Sequence, residues 1–251
     1  MQHSFAPIRW VKGEIKLFST LVRSVPKLVI VLFSFTVILM NLLSSFTVVN
    51  LPYLALTGGV FVSWAAFLFM DIVSKHFGPK AANRVSLIAL CANLIAVLIF
   101  FAISQIGTVP QLDMILHGQW SILLASTIAF LVSALSNNGF NFLIGKAFKR
   151  NPDGKAAYFC RSYVSTFLGQ CIDNFLFGAL AFIILPNIPD ALQVHWTWAQ
   201  ASICAVTCAL VELVMEAVFS PIGYRITRRW REKNVGQEYI DTYYPRASEN
   251  Q

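Results

Sequence analysis

The chain has 251 residues, 57% of them hydrophobic and only 12% charged, a balance that excludes an ordinary soluble domain. Its net charge of +7 requires no nucleic-acid partner, because the excess falls at the ends of apolar stretches, where it can meet anionic lipid. The 19 Lys and Arg residues form four blocks, Arg9 to Lys27, Lys75 to Arg84, Lys146 to Arg161 and Arg225 to Arg246. The gaps at 28–74, 85–145 and 162–224 contain none.

Each gap is long enough for two membrane-crossing helices and a turn. Cations are retained on the cytoplasmic side of a bilayer, so each gap reads as an out-and-back hairpin. The expected fold is an all-α integral membrane protein with six transmembrane helices and both termini cytoplasmic. Three parts follow: an interfacial N-terminal segment at 1–27, a six-helix transport domain at 28–224 and a basic, polar tail at 225–251.

In chain order, Trp10, Val11, Ile15, Phe18, Leu21 and Val22 recur at helical spacing among Lys12, Lys16 and Arg23. The pattern predicts a short amphipathic helix in the inner interface, stopped before Pro26. Helix 1 is expected over about 28–49 and helix 2 over about 58–74, with turn chemistry at Asn50-Leu51-Pro52 and Thr57-Gly58-Gly59 between them. Helix 3 covers about 86–106, helix 4 about 120–145 and helix 5 about 162–185, which Pro186 stops. Helix 6 covers about 196–220 and is broken by Pro221; the tail after Lys233 reads as unstructured.

Four of the 12 acids fall inside these spans: Asp71, Asp173, Glu212 and Glu216. A carboxylate at a helix centre costs roughly 2.5–3.5 kcal/mol on insertion scales, so an apolar helix does not keep one idly. Asp173 lies ~18 Å up helix 5 from Arg161 at 1.5 Å per residue, near mid-bilayer. Glu212 reaches a similar level on helix 6. Glu216, one turn on, shares its face, and the two would repel unless one is protonated or bound. Asp71 precedes Lys75 by one turn and reads equally as an interfacial ion pair.

Polar stripes accompany the acids. Helix 5 carries Ser162, Thr166, Gly169, Gln170 and Asp173; helix 4 carries Ser133, Asn137, Asn138 and Asn141; helix 1 carries Asn41, Ser44 and Ser45. Interhelical glue accounts for the small residues. The acids and amides fit the lining of a polar cavity better. Cys204 and Cys208 share a helix face, which reads as packing rather than a metal site. Neither a metal nor a cofactor is expected.

Two segments resemble the VUT family, the YhhQ-like queuosine-precursor transporters of bacteria. One comprises Asn41 and the run Asp71-x-x-Ser74-x-x-Phe77-Gly78; the other is Arg161-x-x-x-Ser165, then Gln170-x-x-Asp173-x-x-x-Phe177. This chain departs from many members in having Lys75 for an acid, Trp64 for Pro, and Asn138 where helix 4 would repeat the acid. The resemblance implies uptake of a 7-deazaguanine (the 7-cyano or 7-aminomethyl base, or queuine) through a bacterial inner membrane. A guanine-like edge offers adjacent N–H donors to a carboxylate and an oxygen to an amide. Its flat ring needs an aromatic or apolar slot.

The expected ligand set is Asn41, Trp64, Phe67, Asp71, Ser165, Gln170, Asp173, Phe177, Glu212 and Glu216. The partners are the lipid bilayer and a small planar polar solute; a coupling proton or sodium ion and a homodimer stay open. With no Gly-x-x-x-x-Gly-Lys-Ser/Thr loop in the sequence, energy comes from the solute gradient, an ion or a separate ATPase. The alternative reading is a substrate-binding subunit of a vitamin importer that needs a partner ATPase. An enzyme is not expected: Asp71 and Asp173, the one pair of intramembrane Asp residues, differ in depth, and no His lies within a span to act as base.

Overall fold

The computed structural model describes residues 6–104, 106, 110–147, 164–189 and 191–243. The helices are α1 (Ala6–Ser24), α2 (Lys27–Leu43), α3 (Val60–Phe77), α4 (Pro79–Ser104), α5 (Pro110–Ala147), α6 (Ser165–Ala179), α7 (Trp198–Glu232) and α8 (Gln237–Tyr243). A hairpin of β1 (Thr47–Asn50) and β2 (Ala55–Thr57) separates α2 from α3. The chain is an all-α membrane protein apart from this small hairpin.

Four helices are long and apolar enough to cross a membrane, over Val60–Phe77, Lys80–Ile103, Phe167–Asn187 and Trp198–Met215. A fifth is reached if the bent pair Gly13–Ser24 and Lys27–Leu43 counts as one span. Only 22% of the Lys80–Ile103 window is buried in the molecule, so Leu94, Ile95, Leu98 and Phe101 on α4 are exposed. A helix that apolar and that bare needs lipid as its solvent. At the positions of expected helices 1 and 4 stand α2, with 17 residues, and the shorter apolar stretch Gly118–Ser133 within α5.

The boundaries correct the sequence reading in four places. Helix 1 ends at Leu43 rather than near 49, because Thr47, Val48 and Val49 are β-branched and enter the hairpin instead. That hairpin pairs Thr47 with Thr57, Val49 with Leu56 and Asn50 with Ala55, and bulges between Thr47 and Val49. Helix 4 starts ten residues earlier than expected, at Pro110, a residue that suits a first helical turn. Helix 6 does not break at Pro221 but continues as α7 to Glu232. There, Gly223 lets α7 approach α3 so closely that an added Cβ would lie 3.4 Å from Leu68 and Ile72. Packing of this kind holds a helix through the lost amide bond. Finally, the tail is not unstructured: α8 folds, and Tyr239 in it is fully buried.

The chain divides into two compact units, residues 1–37, 65–92 and 218–251 in one, 38–64 and 93–217 in the other. The core of the first joins Leu21 and Val25, Phe33, Val73 and Phe77, Val85 and Tyr239. Tyr239 meets Phe77 edge-on at 6.2 Å. Between α3 and α4 only Gly78 intervenes, at φ +89°; a left-handed glycine followed by Pro79 is the usual way to end one helix and start another.

The second unit centres on Ile122, Ala125, Phe182, Leu185, Trp196 and Cys208. Beyond Ala179, α6 widens into a π turn at Leu180–Ile184 and tightens to a 3-10 turn at Leu185–Asn187. The stretch leading to α7 folds back, stacking Trp196 on Phe182 at 4.2 Å, with the Trp196 amide donating to the Phe182 carbonyl at 2.8 Å. Gln200 then reaches the hairpin, donating to Asn50 Oδ1 at 3.0 Å and to the Leu51 carbonyl at 2.9 Å.

Candidate functional site

A polar chain crosses four helices of the second unit. Glu212 on α7 is 2% exposed. Its Oε1 accepts from the Ser63 hydroxyl of α3 at 2.7 Å, and its Oε2 accepts from Asn174 Nδ2 of α6 at 3.2 Å. The second proton of that amide goes to the Gln170 carbonyl at 3.0 Å. The neighbouring Asp173 accepts at Oδ1 from Ser133 of α5 at 2.9 Å. Ser133 Oγ also lies 3.1 Å from the Phe130 carbonyl; its one proton favours the carboxylate, where the bond is charge-assisted. Asp173 is close enough to Glu212 to act on it electrostatically.

Among the described residues, the two carboxylates use part of their acceptor capacity. Each can accept about four hydrogen bonds, yet Glu212 receives two and Asp173 one from the described residues. Close by in sequence, Gln170 is 3% exposed, and neither its amide nitrogen nor its amide oxygen has a partner among the described residues. Asn41 on α2 repeats the pattern: 3% exposed, with Nδ2 unpartnered. Buried polar groups are nearly always satisfied, so these open amides are candidate contact points. Chemically, the two carboxylates are acceptors for N–H and O–H groups, and an amide such as that of Gln170 can both donate and accept.

The other sequence-predicted residues fall differently. Trp64 directs its indole N–H to the Phe61 carbonyl of its own helix at 2.9 Å. Phe177 is half-buried and meets Phe182 edge-on at 5.7 Å, as a core aromatic would. Phe67 and Asp71 belong to the first unit, where Asp71 pairs with Lys75 at 2.6 Å. Ser165 and Glu216 lie on α6 and α7, and their side chains fall outside the described residues. Cys204 and Cys208 are free thiols with sulfurs 3.4 Å apart, and among the described residues no third ligand joins them.

Sequence reasoning passed over Ser63 and Asn174. Both carried a usable signal, since a carboxylate held inside a span needs donors and these two lie within neighbouring spans. A groove of about 520 Å³ runs along α5 and α6, lined by Val132, Phe140, Leu168, Ile172, Phe175 and Leu176 together with Ser136 and Cys171. Its wall is apolar and includes none of the expected ligand residues.

A membrane protein of apolar helices with partly satisfied carboxylates and amides held inside belongs among those that bind or move a polar solute. The chain is a member of the family described as "putative vitamin uptake transporter", whose model matches residues 57–226. This is the family that the helix 2 and helix 5 segments resemble. No curated protein and no solved structure matches the chain.

Proposed function

We propose that the protein is a six-helix transporter of a bacterial inner membrane, with both termini cytoplasmic, that imports a queuosine precursor of the 7-deazaguanine class. The observation that carries this reading is the pairing of Glu212 and Asp173, each with acceptor capacity to spare, with the unpartnered amide of Gln170. Adjacent ring and amino N–H donors suit a carboxylate, and the ring oxygen suits the Gln170 amide. Asn41, Trp64, Phe67, Asp71, Ser165, Phe177 and Glu216 complete the proposed set, with Glu216 as a second carboxylate suited to the cationic aminomethyl base.

The test is uptake of labelled 7-cyano- and 7-aminomethyl-7-deazaguanine by the purified chain in proteoliposomes, with guanine and unrelated vitamins as competitors. Accumulation competed by deazaguanines alone supports the proposal. Transport of an unrelated vitamin, with no competition by deazaguanines, overturns the substrate class. Tight binding without transport, relieved by a co-purifying ATPase, favours the substrate-binding subunit of a multi-component importer.

A further inference from the structure

The N-terminal helix has more apolar surface than the fold uses. At about 100° per residue, the side chains of α1 divide into three faces. One face, with Leu17 and Leu21, packs into the core of the first unit. A second, about a third of a turn round, carries Ile15, Phe18 and Val22; Ile15 is 63% and Phe18 37% exposed. The third is cationic, with Lys16 and Arg23. Lys16 and Arg23 are exposed. Glu14, the one acid of the helix, is already neutralised by Arg84 at 2.7 Å.

Two further observations say what covers this second face. The helix turns through 100° into α2 across Val25 and Pro26. Beyond that turn, Leu28, Val31 and Phe35 are exposed along α2, an apolar stripe suited to acyl chains. With α2 upright in the bilayer, as the sequence pattern expects of helix 1, a helix nearly at right angles to it lies along the membrane surface. Apolar side chains beside a row of cations are the composition of an interfacial helix that prefers anionic lipid.

We propose that α1 is a lipid-surface helix, with Ile15, Phe18 and Val22 entering the headgroup–acyl boundary and Lys16 and Arg23 holding anionic phospholipid headgroups. This goes beyond transport and does not depend on the solute.

The experiment uses the full chain in nanodiscs, with the five native cysteines replaced and an environment-sensitive fluorophore attached at position 18 or 19. The proposal expects blue-shifted emission at Phe18→Cys, quenched by spin-labelled lipid, and water-like emission at Ser19→Cys. It also expects spin-labelled phosphatidylglycerol to quench position 18 more than spin-labelled phosphatidylcholine does, and Lys16→Gln with Arg23→Gln to remove that difference. Water-like emission at position 18, or equal quenching by both lipids in the native sequence, overturns it. Burial of the probe without lipid quenching, together with bridging of unlabelled Phe18→Cys thiols of two copies by a bifunctional maleimide, overturns it in favour of a second copy of the chain.

Discussion

Ser63 and Glu212 stand 149 residues apart in sequence and 2.7 Å apart in space, the hydroxyl of α3 donating to the carboxylate of α7. With Asn174 on the other oxygen, Glu212 is the point where α3, α6 and α7 meet. Two things follow for this one side chain: losing either donor is costly, and its two oxygens are held in fixed positions.

Replacing the acceptor should therefore do more harm than replacing a donor. In Glu212→Gln one of the two oxygens becomes an NH2 group, which sets donor against donor where it faces Asn174 Nδ2. Leaving such a buried group unmatched costs about 1–3 kcal/mol. Uptake should be lost and the melting temperature should fall. Ser63→Ala leaves the Asn174 bond in place and should retain measurable uptake. Equal activity of Glu212→Gln and the native protein would remove Glu212 from the site.

Gln170 offers a sharper separation of stability from function. Its amide has no partner among the described residues, so Gln170→Met removes no hydrogen bond seen within the protein. Relief of a buried unsatisfied amide should leave thermal stability unchanged or raise it by about 1–3 kcal/mol. If the amide instead binds solute, apparent affinity should drop roughly tenfold or more. A parallel loss of stability and uptake would make Gln170 a structural residue. Asp173→Asn, which keeps the Ser133 contact geometrically available, should also abolish uptake while the protein still inserts.

What the sequence made legible differs between apolar pattern and polar contact. The acids at Asp173 and Glu212 stood out because insertion into lipid penalises them, and both lie in the same unit, Glu212 buried and Asp173 half-buried. Of their donors, Ser133 lay in the helix 4 stripe, while Ser63 and Asn174 did not stand out, because a lone small or polar residue inside a span is ordinary interhelical glue. Helix 1 was read too long because Thr47 to Val49 are apolar enough for a span, and only pairing with Ala55 to Thr57 reveals a strand. The fold of the tail was hidden for a related reason: Tyr239 is one apolar residue in a polar run, and its burial depends on Phe77, 162 positions earlier.

The Asp71–Lys75 pair has a modest predicted role. The side chains are 26% and 50% exposed at one-turn spacing, where such pairs contribute about 0.2–1 kcal/mol. A double-mutant cycle of Asp71→Asn and Lys75→Met should give a coupling in that range, weakening with added salt. Normal uptake by Asp71→Asn would then limit Asp71 to the ion pair, whereas loss of uptake at unchanged stability would return it to the ligand set.

Sidedness follows from the four cationic blocks. A membrane-impermeant thiol reagent added to intact cells should label Asp113→Cys and Asp190→Cys but not Asp153→Cys. The reverse pattern would invert the topology and place the two termini outside.

The seating of the C-terminal helix depends on a glycine. Gly236, which precedes α8, has φ +67°, a left-handed conformation that costs an L-residue roughly 1–2 kcal/mol. Space is short as well: a Cβ there would collide with the Phe77 ring and lie 3.0 Å from Ser24 Cβ. Phe77 cannot move aside freely, being 1% exposed and in ring contact with His76, Trp230 and Tyr239. Overpacking of this kind adds about 1–3 kcal/mol. Gly236→Ala should therefore lower the melting temperature and make the segment after Lys233 sensitive to protease, while Ser24→Gly in the same chain should restore part of the loss. If Gly236→Ala melts like the native protein and its tail resists cleavage, α8 is not seated on Phe77.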